Sequence, residues 1–340
     1  MCQLPPHRRA SQEIRSIQDL LNMSGANINE KPRAHGVLVP VGQATVRAPG
    51  VCGELVQGML DDVYFLVTCP IDFFARVKVE LFQEGPQDWP NVEAPSDTPK
   101  AAAAVSGTLA YLGREELAAK LTVSNPIPRG KGMGSSSADV AAAIAATGLA
   151  LGEELSPGTV AKIALAVEPT DGVMFPGVAL FDHREGRIVE ELGPPPPMEI
   201  VAFDFGGSVD TLEFNRVDRR SLWQSIQAET TEALELVRLG IQQGDPELLG
   251  RGAKLSALAS QLVLAKPRLP EVAEFAQDCG AVGVNVGHSG TIIGVLLDAR
   301  QRKGKATFHQ ARRAFPEAEA VHHFRMLGGG LQPVPDGLSA

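Results

Sequence analysis

Tyrosine and tryptophan are scarce, with two of each among 340 residues. A surface that stacks on nucleobases needs such rings beside basic residues. Basic residues are no more plentiful: 31 Lys and Arg stand against 40 Asp and Glu, a formal net charge of −9, and they are scattered. Such a field disfavours nucleic acid or an anionic membrane as the main partner, so an anionic ligand would need a local positive site. Cysteine is also sparse. Cys2, Cys52, Cys69 and Cys279 show no metal-ligand spacing and read as reduced thiols. Long apolar runs are missing too. The blandest stretch, Val140–Gly152, is too short to span a bilayer. The opening "MCQLPPHRRASQEIRSIQDL" is basic but lacks the apolar segment of a signal peptide. These absences lead to the expectation of a cytoplasmic protein.

Hydrophobic residues make up 44% and charged residues 21%, enough apolar material for one large domain or two modest ones. Residues 1–36 read as a poorly structured extension with a short helix around Ser11–Met23. "QATVRAPGVCGELVQGML" reads as a strand, a glycine-proline turn and a second element, and "YFLVTCPIDFFARVKVEL" as two strands broken at Pro70. A helix is expected over Pro99–Leu112, and a strand in "KLTVSNPIP". Ser156-Pro157 is an N-cap with a first-turn proline, and its helix should end near Glu168, before Pro169. "GVALFD" and "GRIVEEL" form a strand pair around "HREG", whose His183 reads as a turn residue. "GPPPPM" at 193–198 is the best linker and divides 37–194 from 198–331. Beyond it lie a strand, helices near 217–243, 246–264 and 270–279, the apolar pair "AVGVNVGHSGTIIGVLLD", a helix near 305–315 and a strand at 320–327. His322 and His323 alternate across that strand and should not chelate one metal. Without regular βαβ alternation the fold class is α+β.

The chemistry is concentrated in "PRGKGMGSSSADVAAA", residues 128–143. Gly130, Gly132 and Gly134 let the backbone turn tightly and approach a ligand. The helix expected from Ser135 to Leu151, with Val140, Ile144 and Leu151 on one face, begins with unpaired N–H groups and the positive end of its dipole. A phosphate chain suits that position. Arg129 and Lys131 add positive charge, and the serines offer a hydroxyl for phosphate-bound Mg²⁺. The Walker spacing is absent, and so is the βαβ dinucleotide fingerprint. The bland alternative is a serine-capped helix behind a flexible loop.

Pro128-x-x-x-Gly132-Met133-Gly134-Ser135-Ser136-Ser137-Ala138 resembles the second motif of the GHMP kinases, a superfamily that includes galactokinases, homoserine kinases and mevalonate kinases. Ala48-Pro49-Gly50 with Gly53-Glu54 is similar to the first motif, and Gly287-His288-Ser289-Gly290 to the third. "APGVCGELVQG", "TCPIDFF", "IPRGKGMGSSSAD", "VEPTDG", "ALFDH", "LAKP" and "GVNVGHSGTIIGVLLD" together look like the L-threonine kinases of cobalamin biosynthesis, from about Thr45 to Gly330.

The resemblance implies a two-domain GHMP fold, with an N-terminal domain like the second domain of ribosomal S5 and a ferredoxin-like C-terminal domain. It implies ATP and Mg²⁺ as cofactors, and phosphorylation of the L-threonine hydroxyl to O-phospho-L-threonine for the aminopropanol linker. Residues 128–138 would hold the triphosphate. Ser136 and Glu168 would meet the metal, a role supported for Glu168 by its poor placing at a helix C-terminus. Asp171 would orient or deprotonate the substrate hydroxyl, or only bind substrate. Glu54, Gln57 and Asp72 are candidates for the substrate ammonium; His288 and Ser289, with Gly290 beside them, for its carboxylate or the transferred phosphate. Cys52 reads as a small buried residue. Two readings compete: a kinase for homoserine or another small hydroxyl acceptor, and a catalytically inactive nucleotide-binding relative. The expected partner is a small molecule, with no nucleic acid and no membrane; a homodimer is compatible with the sequence.

Overall fold

The computed structural model describes residues 38–83, 90–207 and 217–335. The extension at 1–36, its helix and part of the loop around residue 85 lie outside these. Eleven strands form one sheet: β1 (Pro40–Leu60), β2 (Val63–Phe82), β3 (Val92–Glu93), β4 (Ala118–Ser124), β5 (Val178–Phe181), β6 (Val189–Gly193), β7 (Met198–Asp204), β8 (Gly283–Val286), β9 (Ile293–Asp298), β10 (Ala320–Arg325) and β11 (Gln332–Val334). The main path runs β10-β7-β9-β8-β1-β2-β4-β3; β11 adds to β1, and β5 joins β2 to β6. Interspersed are α1 (Pro99–Tyr111), α2 (Ser135–Ala150), α3 (Pro157–Val167), α4 (Arg220–Ser225), α5 (Gln227–Gln243), α6 (Pro246–Ala259), α7 (Leu269–Asp278) and α8 (Gly304–Ala314). The class is α+β.

The first two strands correct the sequence reading. No turn separates Thr45 from Leu60, and Pro70 does not end a strand; β1 and β2 are 21 and 20 residues long and antiparallel throughout. Proline normally interrupts a ladder because it cannot donate. Here Pro49 and Pro70 sit at an irregularity where Pro49 pairs with Phe74 and Val51 with Pro70, and two more register shifts follow between Val51 and Val56. Bulges of this kind bend a strand and redirect its polar groups. The amides of Val51 and Gly53 donate to the carbonyls of Met133 (3.0 Å) and Gly132 (3.3 Å) in the loop before α2.

The α2 helix also differs from expectation. It buries residues all round, from Ser135 and Ala138 to Ala146 and Ala150, not one stripe. A helix apolar on every side belongs in a core; alanines let α2 fit closely against β1, β2, α1 and α3. In α3, Ser156 caps as expected, its hydroxyl accepting from the Thr159 amide at 3.1 Å.

Strands β7 to β10 run in the spatial order β10-β7-β9-β8, with α4–α7 connecting β7 to β8 and α8 connecting β9 to β10. That is the ferredoxin-like βαββαβ arrangement. The proline run at 194–197 falls at the crossing from β6 to β7. The two halves share the sheet through the Glu54–Val286 pair. They also share one core that includes Val46, Leu55, Ile200, Leu234 and Leu296. Among the described residues, no helix is long and apolar enough to cross a membrane.

Candidate active site

Gly130, Gly132 and Gly134 have φ of 71°, 81° and 67°. Alternation of left-handed glycines with Lys131 and Met133 curls the loop against α2, and a side chain at any of the three would be strained. Gly134 is itself the N-cap of α2 and supplies no side-chain bond. The first turn therefore keeps its amides and the helix dipole for a ligand. Asn125 braces this turn from behind: its Nδ2 donates to the Ser135 carbonyl (3.0 Å), the Ser135 hydroxyl (3.1 Å) and Asp139 Oδ1 (2.8 Å).

The loop is gripped on both sides by backbone. The β1 bulge holds it through Gly132 and Met133, while the amides of Thr291 and Ile292 both donate to the Lys131 carbonyl at 3.0 Å. Gly290 is where the approach is closest. A Cβ there would lie 2.1 Å from the Lys131 carbonyl and from the Gly132 nitrogen. Gly290, expected beside the substrate, does not line the cavity described below; it packs against the backbone of the loop. Lys266 supports it, donating its buried ammonium to the Gly290 carbonyl at 2.6 Å; burial holds that ammonium down to about 8. Gly290→Ala should cost about 2–4 kcal/mol of stability or, where the turn yields instead, raise KM for ATP; thermal melting with an ATP titration separates the two.

A cavity of about 490 Å³ opens in front of the loop. Every residue from Pro128 to Ser137 lines it except Lys131. Ala138 is buried behind it. Lys131 was expected to add positive charge here, but its ammonium bonds Asp204 (2.8 Å) and Glu319 (3.3 Å). Arg129 stays at the rim, paired with Asp97 at 3.0 Å. A second positive group lines the cavity: Lys100, whose half-exposed side chain brings its ammonium 2.5 Å from Glu168 Oε2. Sequence reasoning missed it. Its signal was a lysine in the first turn of α1, the unfavourable end of a helix dipole for a cation.

The three serines take different roles because successive residues on a helix point about 100° apart. Ser135 is held by Asn125. The Ser136 hydroxyl donates to Glu168 Oε1 in a short contact. The Ser137 hydroxyl donates to Asp171 Oδ2 at 3.0 Å and accepts from the Asp171 amide at 3.0 Å. Glu168, just past α3, thus brings one carboxylate oxygen to Ser136 and the other to Lys100. A hydroxyl and a carboxylate in contact beside a phosphate-binding turn are the hard oxygen donors that Mg²⁺ takes, leaving the rest of its shell to phosphate and water.

At the inner end lie Glu54, Thr170, Asp171, His183 and His288, with Ser289 beside the loop. Burial, then the charge of Asp171, pushes the Glu54 carboxyl well above its usual range. Burial pushes Asp171 up to about 6, against the Ser137 hydrogen bond and helped by the charge of Glu168. Glu54 is 4%, Thr170 2% and His183 3% exposed, yet Glu54 Oε2, Thr170 Oγ1 and His183 Nδ1 have no hydrogen-bond partner among the described residues. Buried polar atoms left so are rare in folded proteins and mark places where a ligand or water belongs.

Two expected substrate ligands are elsewhere. Gln57 does not line the cavity; its Oε1 meets His288 Nδ1 at 2.8 Å and fixes that ring. Asp72 lies in the irregular stretch of β2 between Pro70 and Phe74, is exposed, and accepts from the Arg325 amide at 2.8 Å, tying down the end of β10. Thr170 and His183 were not anticipated as site residues. His322 and His323 do diverge: His323 meets Glu199 at 3.2 Å and His322 stacks on Phe324. Cys52 is fully buried.

The family described as GHMP kinases N terminal domain matches residues 100–176, and GHMP kinases C terminal matches 233–320. An L-threonine kinase from Salmonella typhimurium is 31% identical over 300 residues, 85% of this chain and 95% of its own. A homoserine kinase from Moorella thermoacetica is 26% identical over 209 residues, 59% of this chain and 69% of its own. The crystal structure of a homoserine kinase from Cytophaga hutchinsonii has a TM-score of 0.65 at 18% identity, covering 91% of this chain and 100% of the other; at that identity it speaks for the fold alone. The loop with its helix falls in the first matched segment and the Gly290 turn in the second, so both walls of the cavity carry the match, and the chain belongs to the GHMP kinase family and is a kinase.

Proposed function

We propose that this kinase transfers the γ-phosphoryl group of ATP to the side-chain hydroxyl of L-threonine, giving O-phospho-L-threonine and ADP. The hydroxyl oxygen forms a bond to the γ-phosphorus, the bond from that phosphorus to the β,γ-bridging oxygen breaks, and the hydroxyl proton passes to Asp171. Residues 129–137, Lys131 excepted, cradle the phosphates with backbone amides. Ser136 and Glu168 would hold the Mg²⁺ that accompanies the nucleotide, which when bound would supply charge neutralisation at the phosphate oxygens. Glu54 receives the substrate ammonium.

One observation carries the substrate class. Among the described residues, the cavity presents a buried carboxylate oxygen, a hydroxyl and an imidazole nitrogen that lack partners, set near an aspartate poised to ionise close to neutrality. A zwitterion with a hydroxyl presents the matching ammonium, carboxylate and O–H, and its ammonium would favour the ionised form of the buried Glu54 carboxyl, whereas a sugar or an isoprenoid acid brings no cation to Glu54 Oε2. Within that class L-threonine is favoured by the 31% identity to a threonine kinase. L-homoserine is the second reading, favoured by the 26% identity to a homoserine kinase. The motif set further supports a place in the supply of the aminopropanol linker of cobalamin.

Purified protein with MgATP should release ADP at a rate that depends on L-threonine, with kcat/KM above that for L-serine and L-homoserine by about tenfold or more, the scale set by one methyl group or one methylene in a fitted pocket. Preference for L-homoserine would replace threonine by the second reading. ADP release unaffected by any hydroxy amino acid would end the amino-acid reading.

A further inference from the structure

His183 follows β5 in a turn that Asp182 ties together, its carboxylate accepting from the amides of Arg184, Glu185 and Arg187, each at 3.1 Å. The His183 carbonyl accepts from the Thr170 amide at 2.9 Å, which links the turn to the segment carrying Glu168 and Asp171. Its ring meets the His288 ring edge-on at 5.1 Å, and His288 is backed by Trp223 at 5.8 Å and anchored by Gln57. The imidazole is thus fixed in place.

Its tautomer is fixed as well. Arg184 Nε lies 3.4 Å from His183 Nε2, with its guanidinium over the Tyr64 ring at 3.7 Å. A guanidinium only donates, so Nε2 accepts and the ring proton sits on Nδ1. Burial, then the charge of Arg184, holds the imidazole down to about 3, opposed by Asp182; the ring is neutral and has one N–H. That N–H has no acceptor among the described residues, and His183 lines the cavity.

Within the hydroxy-amino-acid reading, on which this rests, we infer that His183 is the specificity residue for the substrate α-carboxylate, receiving it through Nδ1–H, with Arg184 behind the ring polarising the bond. The other groups of the zwitterion have partners of their own: the ammonium at Glu54 and the hydroxyl at Asp171. A buried donor left without an acceptor carries a full desolvation cost, which a carboxylate relieves and a neutral methylene end does not. The inference explains how an acidic protein whose Lys131 is turned away still selects an anion at the inner end of the cavity.

The test compares L-threonine with (R)-1-amino-2-propanol, which has the same hydroxyl and amine but no carboxylate. Wild-type enzyme should favour L-threonine in kcat/KM by about 10–100-fold, the range for a hydrogen bond to a charged group. His183→Leu should raise KM for L-threonine by a similar factor, leave KM for ATP within about threefold, and leave turnover of the amino alcohol nearly unchanged, so that discrimination collapses. His183→Asn, whose side-chain N–H falls near the Nδ1 position, should recover much of the preference; His183→Gln, which reaches the Nε2 position, should not. Should His183→Leu fold poorly, the Asn and Gln pair still decides. Equal losses on both substrates, or equal rescue by Asn and Gln, would overturn the inference while leaving the threonine reading intact. If wild-type enzyme turned over neither threonine, serine nor homoserine, the amino-acid reading would fall and this inference with it.

Discussion

Glu168→Gln is expected to lower kcat/KM for both substrates by about 10²–10³-fold, the scale for loss of one charge-stabilising group in a transition state, while the melting temperature moves by only a few degrees. The glutamine keeps the shape and can still accept from Ser136 or donate elsewhere, so the fold has little to lose. What disappears is the negative charge that sits between the Ser136 hydroxyl and the Lys100 ammonium. Two consequences separate a metal role from a packing role. The Mg²⁺ concentration for half-maximal rate should rise, and Mn²⁺, which binds N/O donors more tightly, should recover part of the loss. Ser136→Ala should reproduce both effects more weakly, since it removes a neutral ligand. A Glu168→Gln enzyme with an unaltered Mg²⁺ requirement would remove the metal assignment and leave Glu168 as the partner that orients Lys100.

The site was legible in sequence where the backbone has to do something unusual over a short span. Three glycines at alternate positions before a serine-rich helix start give away a curled loop and an open N-terminus, because few other uses need that residue type at that spacing. Glu168 was readable from a local conflict, a carboxylate at the wrong end of a helix. Contacts formed by residues far apart in the chain were not readable. Lys131 looked like a phosphate ligand until Asp204 and Glu319, 73 and 188 residues away, captured it. Asp72 and Glu54 are both acidic residues in the first strand pair. Only the bulges between Pro49 and Val56 decide that Glu54 turns to the cavity and Asp72 to solvent.

His183 fails to announce itself for the same reason. A histidine in a hairpin turn is ordinarily exposed, and this one is buried where His288, from a distant segment and itself backed by Trp223, packs edge-on against it. The long strands through Pro49 and Pro70 belong with these cases, since the two prolines flank one register shift between β1 and β2, Pro49 paired with Phe74 and Pro70 with Val51. Helix limits fared better, as capping and proline act locally: the expected 135–151 and 157–168 became 135–150 and 157–167.

Asp171→Asn should lower kcat by about 10²–10⁴-fold, the usual worth of a positioned general base, with smaller changes in KM. The pH dependence carries the stronger test. Only the ionised carboxylate can take the hydroxyl proton, and burial has pushed the group up to about 6. The wild-type rate should therefore be low at pH 5, rise through about pH 6 and level off above pH 7, where roughly nine-tenths or more of the group is ionised. In Asp171→Asn that acid limb should vanish from the residual activity. Glu54 faces the same cavity and is also displaced upward, and Glu168 adds charge to Asp171 from the other side, so a single limb does not identify its owner. Ser137 does. Its hydroxyl donates to Asp171 Oδ2 and favours the ionised form; Ser137→Ala should shift the limb to higher pH without abolishing it, whereas a limb owned by Glu54 would stay where it was. A limb that survives Asp171→Asn and ignores Ser137→Ala would make Asp171 a ligand for the threonine hydroxyl and move the proton's destination to Glu54 or to phosphate.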